Sequence, residues 1–311
     1  MKTLPTLKQM RHLVAVAEHG HFGRAAESCF VTQSTLSASI KELESVLGSV
    51  LIERTRRSVR MTPLGEEVAA RARQVLREVE DIVDLVAAAG EPLSGDLRLG
   101  VIPTIGPYLV PRVMPILRHD YPSLRLYLRE DQTARLLERL AAGDLDAVLL
   151  ALPYRTEGMK TLVIADDPFF VACPGGHPFE DLERVTPDDL VGEDLLLLEE
   201  GHCLRDHALS ACHLEPGDTR KDEFRATSLH TLVQMVDSGL GLTLLPRMAL
   251  DAGVLEGTRI VVRPLAGPDA SRRIGLVWRG SSSRAREFAL LGDLLGNELD
   301  VPTATKAGRR P

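Results

Sequence analysis

No apolar run in this 311-residue chain approaches the roughly 20 residues a helix needs to span a bilayer. A helical membrane protein is therefore excluded, and no membrane partner is expected. The opening residues, MKTLPTLKQMRHLVAVAEHG, lack a long apolar centre followed by a small-residue cleavage site, so no secretory signal is expected. The cytoplasm, where thiols are kept reduced, is the expected compartment. Histidines are scattered (His177, His207, His213, His230) without the spacing of metal ligands, so neither a metal nor another cofactor is expected. The end of the chain, VPTATKAGRRP, has no apolar face to bury, and residues 301–311 are expected to be a disordered tail.

What remains is an ordinary globular composition, 44% hydrophobic and 26% charged, long enough for two or three domains. The net charge of −7 is unevenly spread: residues 1–60 carry +4 and the remainder −11. A basic head on an acidic body suggests nucleic-acid binding in front of a different task behind.

The head divides into three helical stretches, LKQMRHLVAVAEHG, GRAAESCF and QSTLSASIKELESVLG. A short turn with Phe30 and Val31 placed to pack it separates the last two. Two short helices with a tight turn, the second opening on small polar residues, suit a reader of the DNA major groove. Thr32, Gln33, Ser34, Thr35 and Ser37 are short enough to let the helix approach base edges. Leu36, Ile40, Leu43 and Leu47 take the buried face, while Lys41 points outward towards phosphate. The run VLIERTRRSVRMT reads as a β-wing whose Arg54, Arg56, Arg57 and Arg60 track the DNA backbone. Cys29 falls on the apolar stripe of the second helix and reads as a core residue.

Thr62-Pro63 supplies an N-cap and a proline at the first helical position. The helix it starts runs about 27 residues, ~40 Å, to the break at AAAGEPLSGDLRLG. Its apolar positions Leu64, Val68, Ala72, Val75, Val79, Ile82 and Val86 step by 4, 4, 3, 4, 3 and 4. That near-heptad seam favours a partner helix and hence a dimer; the alternative is a helix lying on its own domain. Beyond Leu97 short apolar runs alternate with helical periodicity in a β-α-β-α-β order, which indicates an α/β fold with a parallel sheet. PFFVAC, EDLLLLEE and LTLLP read as further strands, with a helix around ATSLHTLVQMVDSG. RRIGLVWR reads as a late strand before a final helix through SRAREFALLGDLLGN. Two α/β lobes are the simplest division, and ligands in such sheets sit beyond the carboxyl ends of strands.

The segment LLLLEEGHCLRDHALSAC holds Cys203 and Cys212. In one regular helix their Cα atoms would stand ~13 Å apart, against about 4.4–6.8 Å in a disulfide. They can be partners only if the backbone between them rearranges. Cys173 ends a strand and has no obvious redox partner.

The order LVAVAEHGHFGRAAE, VTQSTLSASIKELE and LGSVLIERTRRSVRMTPLGE resembles the amino-terminal domain of LysR-type transcriptional regulators, with Leu13 at the usual aromatic position. The resemblance continues over essentially the whole chain. It implies a winged helix-turn-helix at 1–62, a dimerising linker helix at 63–90, and a two-lobed regulatory domain at 91–300, built like a periplasmic binding protein. Lobe I is placed at about 91–163 and 268–300, and lobe II at about 164–267. It also implies self-association to a dimer or tetramer, a promoter operator in double-stranded DNA as partner, and RNA polymerase as a further one.

EEGHCLRDHALSAC is similar to the redox segment of the peroxide-sensing regulators in that family, with the run Gly201–Asp206 complete and Cys212 at the same spacing. The resemblance implies that hydrogen peroxide oxidises Cys203 to a sulfenic acid and that Cys212 resolves it as a disulfide. Such chemistry asks for a lowered thiol pKa and solvent access at Cys203. His202, Arg205 and the amides of a helix starting near Leu204 can supply the lowering. The resemblance further implies peroxide donors at Thr104 and Thr133 and a late arginine, for which Arg272 is preferred over Arg273. Two other functions stay open: a LysR-type regulator responding to a metabolite between the lobes, and a thiol peroxidase or disulfide oxidoreductase.

Overall fold

The computed structural model describes residues 3–54, 59–88, 91–214 and 226–300. Arg56, Arg57, the 301–311 tail, and the side chains of Arg54 and Val86 lie outside the described residues. The chain divides into two compact units, 1–87 and 88–311.

The first unit contains α1 (Leu7–His19), α2 (Phe22–Ser28), α3 (Gln33–Leu47), the antiparallel hairpin β1 (Ile52–Arg54) and β2 (Val59–Met61), and α4 (Pro63–Ala88). Its helix starts are sequence-encoded. Thr6 and Gln9 form a capping box on α1, and His21 Nδ1 accepts from the amides of Gly23 and Arg24 on α2. Thr62 Oγ1 accepts from the Gly65 amide on α4, with Pro63 at the first helical position as expected. Leu13, Leu36, Ile40 and Leu43 are buried together with Ala25, Leu51 and Ile52. The Glu44 carboxylate ties α3 to the wing by accepting from the Leu51 and Ile52 amides at 2.8 and 3.1 Å. Gly65 is required where α4 crosses the start of the wing, since a Cβ there would lie 2.1 Å from the Leu51 carbonyl oxygen.

Two expectations for the head are corrected. Phe30 does not pack the turn; it has φ 55° and is 96% exposed. A left-handed residue after the α2 cap turns its side chain outward, and Val31 packs against the core instead. Leu47 is exposed rather than buried, because α3 ends at Gly48 beyond the last core turn. Cys29 is half-buried at the end of α2 and packs against the same core. On α4, Val68 packs on the head and Ala72 is buried, but Val75, Ile82 and Val83 are exposed and Val79 half-buried.

The second unit is an α/β body. β3 (Gly95–Val101), α5 (Gly106–Asp120), β4 (Leu124–Glu130), α6 (Thr133–Ala142) and β5 (Ala147–Leu152) make a right-sized β-α-β-α-β run, with β3 parallel to both β4 and β5. All six β5 residues are buried, as a strand covered on both faces requires. β6 (Met159–Cys173) is the long element of the body. Through Pro168 it pairs antiparallel with β9 (Ser271–Arg279), which also pairs with β5. From Phe169 it pairs instead with β7 (Thr243–Pro246) and β8 (Val261–Pro264). The change of partners makes two lobes on one continuous strand. α7 (Cys203–Ala211) and α8 (Leu229–Asp237) belong to the second lobe, α9 (Arg247–Asp251) follows β7, and α10 (Ala285–Asp300) closes the chain on β6 and α5.

EDLLLLEE is not a strand, a third correction. Leu195 and Leu198 make only isolated bridges, to Leu242 and Ala226. All four leucines are buried, and a short buried apolar run carries no periodicity that tells strand from coil. No helix among the described residues is long and apolar enough to cross a membrane.

Candidate functional site

In the head, Gln33, Ser34 and Thr35 are exposed at the start of α3, Ser37 is half-buried, and Lys41 is exposed a turn and a half further on. Thr32 is committed to capping. Its Oγ1 accepts from the Thr35 amide at 3.2 Å and lies 2.9 and 2.8 Å from the Ser34 and Thr35 hydroxyls. The three hydroxyls thus form one preset cluster at the helix tip. On the wing, Arg60 is exposed.

In the body, parallel β3 and β4 bring their carboxyl ends to one edge. Thr104 follows β3 and Thr133 opens α6 after β4. The loop before α7 lays Gly201, His202 and Cys203 over the same edge. Gly201 has φ 93°, the left-handed conformation that favours glycine, and an added Cβ would sit 2.8 Å from the end of the Gln132 side chain, which would have to give way. Gln132 Nε2 donates to the Glu200 carbonyl across this seam at 3.3 Å. Ile102, Thr104, Gln132, Thr133, His202 and Cys203 line the resulting recess, which has no room for a free water-sized sphere.

Cys203 is the first residue of α7 and only 3% exposed. This corrects the expectation of an accessible, acidified thiol: burial pushes its pKa up. The Arg272 guanidinium, the Thr133 hydroxyl and the Ala151 backbone act against that rise, and Asp206 adds to it. The Thr133 hydroxyl is buried and makes no hydrogen bond of ordinary geometry, yet it lies near enough to the sulfur to favour thiolate. It is a donor left over for something else in the recess.

Of the two late arginines, Arg272 is buried and Arg273 exposed, the alternation of strand β9. Arg272 Nη1 donates to Thr104 Oγ1 at 2.8 Å and Nη2 to the Thr104 carbonyl at 2.9 Å. Its Nε donates to Asp167 Oδ2 at 3.0 Å, and Asp167 Oδ1 accepts from the Met248 amide at 2.9 Å. Asp167, 105 positions away in sequence from Arg272, was not singled out from the sequence. No local pattern marks a carboxylate that β6 carries to its partner on β9.

Arg205 does not supply the charge expected of it. It is buried and donates to the Leu198 carbonyl at 3.4 Å, holding the α7 entry loop. His202 caps the start of α7 and lies 3.8 Å from Glu199. Burial lowers its pKa and Glu199 opposes that, so it is a neutral ring rather than a cation. Cys212 is the C-cap of α7, buried, with its thiol pushed up to about 12 by desolvation. Both thiols are free. Nine helical positions separate them, ~13 Å along the axis. Cys173, at the end of β6, donates its thiol to the Val261 carbonyl and is buried.

Residues 7–66 match the model of bacterial regulatory helix-turn-helix proteins of the lysR family, and residues 90–300 match the LysR substrate binding domain. The transcriptional regulator EstR of Acinetobacter baylyi is 44% identical over 95% of this chain and 97% of its own. A hydrogen peroxide-inducible genes activator of Escherichia coli O6:H1 is 43% identical over 94% of this chain and 96% of its own. Among solved structures, a hydrogen-peroxide-bound OxyR mutant of Corynebacterium glutamicum is similar with TM-score 0.68 and 36% identity, over 100% of this chain and 98% of that one. The helix-turn-helix head and the two-lobed α/β body thus have one explanation: this chain belongs to the LysR family of transcriptional regulators.

Proposed function

We propose that the protein is a DNA-binding regulator that senses hydrogen peroxide through Cys203 and Cys212. The observation that carries the reading is the pair of free thiols at the two ends of α7, one of them against a recess with an unpaired Thr133 hydroxyl and the Thr104–Arg272 pair. Thiolate at Cys203 attacks one peroxide oxygen, the O–O bond breaks, and the other oxygen leaves as water after taking a proton. The Thr133 and Thr104 hydroxyls suit the leaving oxygen, with Arg272 holding Thr104. The Cys212 thiol then displaces water from the sulfenic acid, giving the disulfide. Because the recess is closed as packed, peroxide enters by a small outward shift of its rim at Gln132 and Gly201.

The bridge requires α7 to unwind. It contributes roughly 2–4 kcal/mol, and a few kcal/mol is enough to bias a two-state element. The assignment divides the chain into a DNA-binding head (1–62), a linker helix (63–90) that pairs with a second copy through Val75, Val79 and Ile82, while Val68 packs on its own head, and a redox-sensing body (91–300). The assembly is a dimer or tetramer acting on operator DNA in the cytoplasm, with RNA polymerase a further partner. It works as a stoichiometric switch, not a turnover peroxidase. Peptide mass spectrometry after treatment with one equivalent of peroxide, paired with DNA footprinting, tests this. A 203–212 linkage with a changed footprint supports it. A footprint that changes in Cys203→Ser, or a metabolite response with both thiols free, overturns it.

A further inference from the structure

Cys203 lines a second hollow as well as the recess. The two share this residue and no other lining side chain. The second is a groove of about 260 Å³, bordered by Tyr154, Asp206, His207, Ser210 and Asp269. A volume of that size holds several waters at roughly 30 Å³ each. Cys203, Asp206, His207 and Ser210 stand at positions i, i+3, i+4 and i+7, which puts them on one face of α7.

His207 is set in this groove with a defined tautomer. Its Nε2 lies 3.1 Å from the Pro153 carbonyl oxygen. A carbonyl only accepts, so Nε2 carries the hydrogen and Nδ1 keeps a lone pair. That Nδ1 has no hydrogen-bond partner in the protein and is closed to a water-sized sphere as packed, so a groove water meets it with a small shift of the ring. On the recess side of the sulfur, Arg272 is a cation, Thr104 is held by Arg272 and His202 is directed through Nε2 at Glu199, whereas no group of the protein occupies His207 Nδ1.

We propose that His207 is the proton acceptor that ionises the buried Cys203 thiol, acting from the groove through a single water. This inference rests on the peroxide-sensing reading and adds a residue to it. The sulfhydryl proton passes to the water while a proton of that water passes to Nδ1. The sulfur lone pair then attacks peroxide in the recess, so that base and substrate approach from different hollows. The departing hydroxide takes up one proton and the imidazolium releases one to groove water. The sum is one thiol and one peroxide giving one sulfenic acid and one water.

The surroundings keep the ring ready as a base. Desolvation holds its pKa below the usual value, as does Arg272, while the Pro153 carbonyl and Asp206 act the other way. Asp269 and Tyr154 also line the groove. Tyr154 stays protonated because burial, and then Cys203 and Asp206, raise its pKa.

The test is the rate of Cys203 oxidation by hydrogen peroxide in the full-length protein, read by rapid quench and thiol alkylation from pH 5 to 10. His207→Gln can still donate to the Pro153 carbonyl through its amide, but it cannot accept a proton. Wild type is expected to show a plateau above an inflection that lies below pH 6.5. H207Q is expected to be roughly 100-fold slower at pH 7, the low end of what general bases contribute, and to gain tenfold per pH unit until it meets wild type. H207Q matching wild type in rate and profile overturns the proposal. So does a wild-type rate that climbs tenfold per unit without a plateau, a readout that holds even if the variant fails to fold. A wild-type chain whose Cys203 does not oxidise at all overturns the peroxide reading itself.

Discussion

Cys203 and Cys212 occupy the first residue and the C-cap of the same helix, so the two thiols are as far apart as α7 allows. A disulfide between them and an intact α7 exclude each other, since their Cα atoms must close from ~13 Å to about 4.4–6.8 Å. Cys212→Ser is accordingly expected to stop at the sulfenic acid. Peroxide followed by dimedone should label Cys203 in that variant, α7 should stay helical, and the DNA footprint should remain that of the reduced protein.

Asp167 and Arg272 are both buried and tie β6 to β9 beneath the thiol. Removing one partner strands the other charge. Asp167→Ala is expected to lower unfolding free energy by about 3–5 kcal/mol in denaturant titrations. Arg272→Met alone should cost a similar amount. The double variant should recover much of the loss, giving a coupling energy of opposite sign to the two single effects.

Thr133 separates function from folding. Its hydroxyl has no hydrogen-bond partner of ordinary geometry and only a contact with the Cys203 sulfur to lose, so Thr133→Val should change stability by no more than about 1 kcal/mol. Peroxide oxidation of Cys203 should nevertheless slow by roughly 10–100-fold, as expected when a donor to a developing negative oxygen is deleted. A variant that is destabilised yet oxidises at the wild-type rate would remove Thr133 from the chemistry.

The Cys212 thiol has a pKa near 9.0 when solvated and about 12 in the fold. Its contribution to stability is complete below pH 9 and is lost as pH rises from 9 to 12, because the unfolded chain ionises first. The slope from this one group approaches about 1.4 kcal/mol per pH unit. Cys212→Ala should therefore show a shallower decline of stability than wild type between pH 9 and 11, with Cys203, Cys173, Tyr108 and Tyr154, whose pKa values are all raised by burial, contributing to what remains.

Much of this was legible in the sequence because it is local. The cap at Thr62, the buried face of Leu36, Ile40 and Leu43, and the Cys203–Cys212 spacing are all set by neighbours within a few turns, whereas the capping role of Thr32 came only with the structure. Strand alternation alone distinguishes Arg272 from Arg273 once β9 is placed. What escaped was decided by tertiary contact. Phe30 turned outward because of one left-handed residue, and Leu195–Leu198 is an apolar run that the fold buries without pairing into a strand. The raised thiol pKa came from burial that no spacing reveals, and Asp167 met Arg272 only through sheet pairing. His207 lay within reach, four residues from Cys203 on a helix, but only the groove gives that spacing a meaning.

Hydrogen exchange of the amides from Cys203 to Cys212 tests the switch most directly, measured on reduced protein and on protein oxidised by peroxide. The account predicts protected amides across α7 when reduced and loss of that protection once the 203–212 bridge forms, reversed by dithiothreitol. A bridge confirmed by mass spectrometry with the helix's protection unchanged would contradict it.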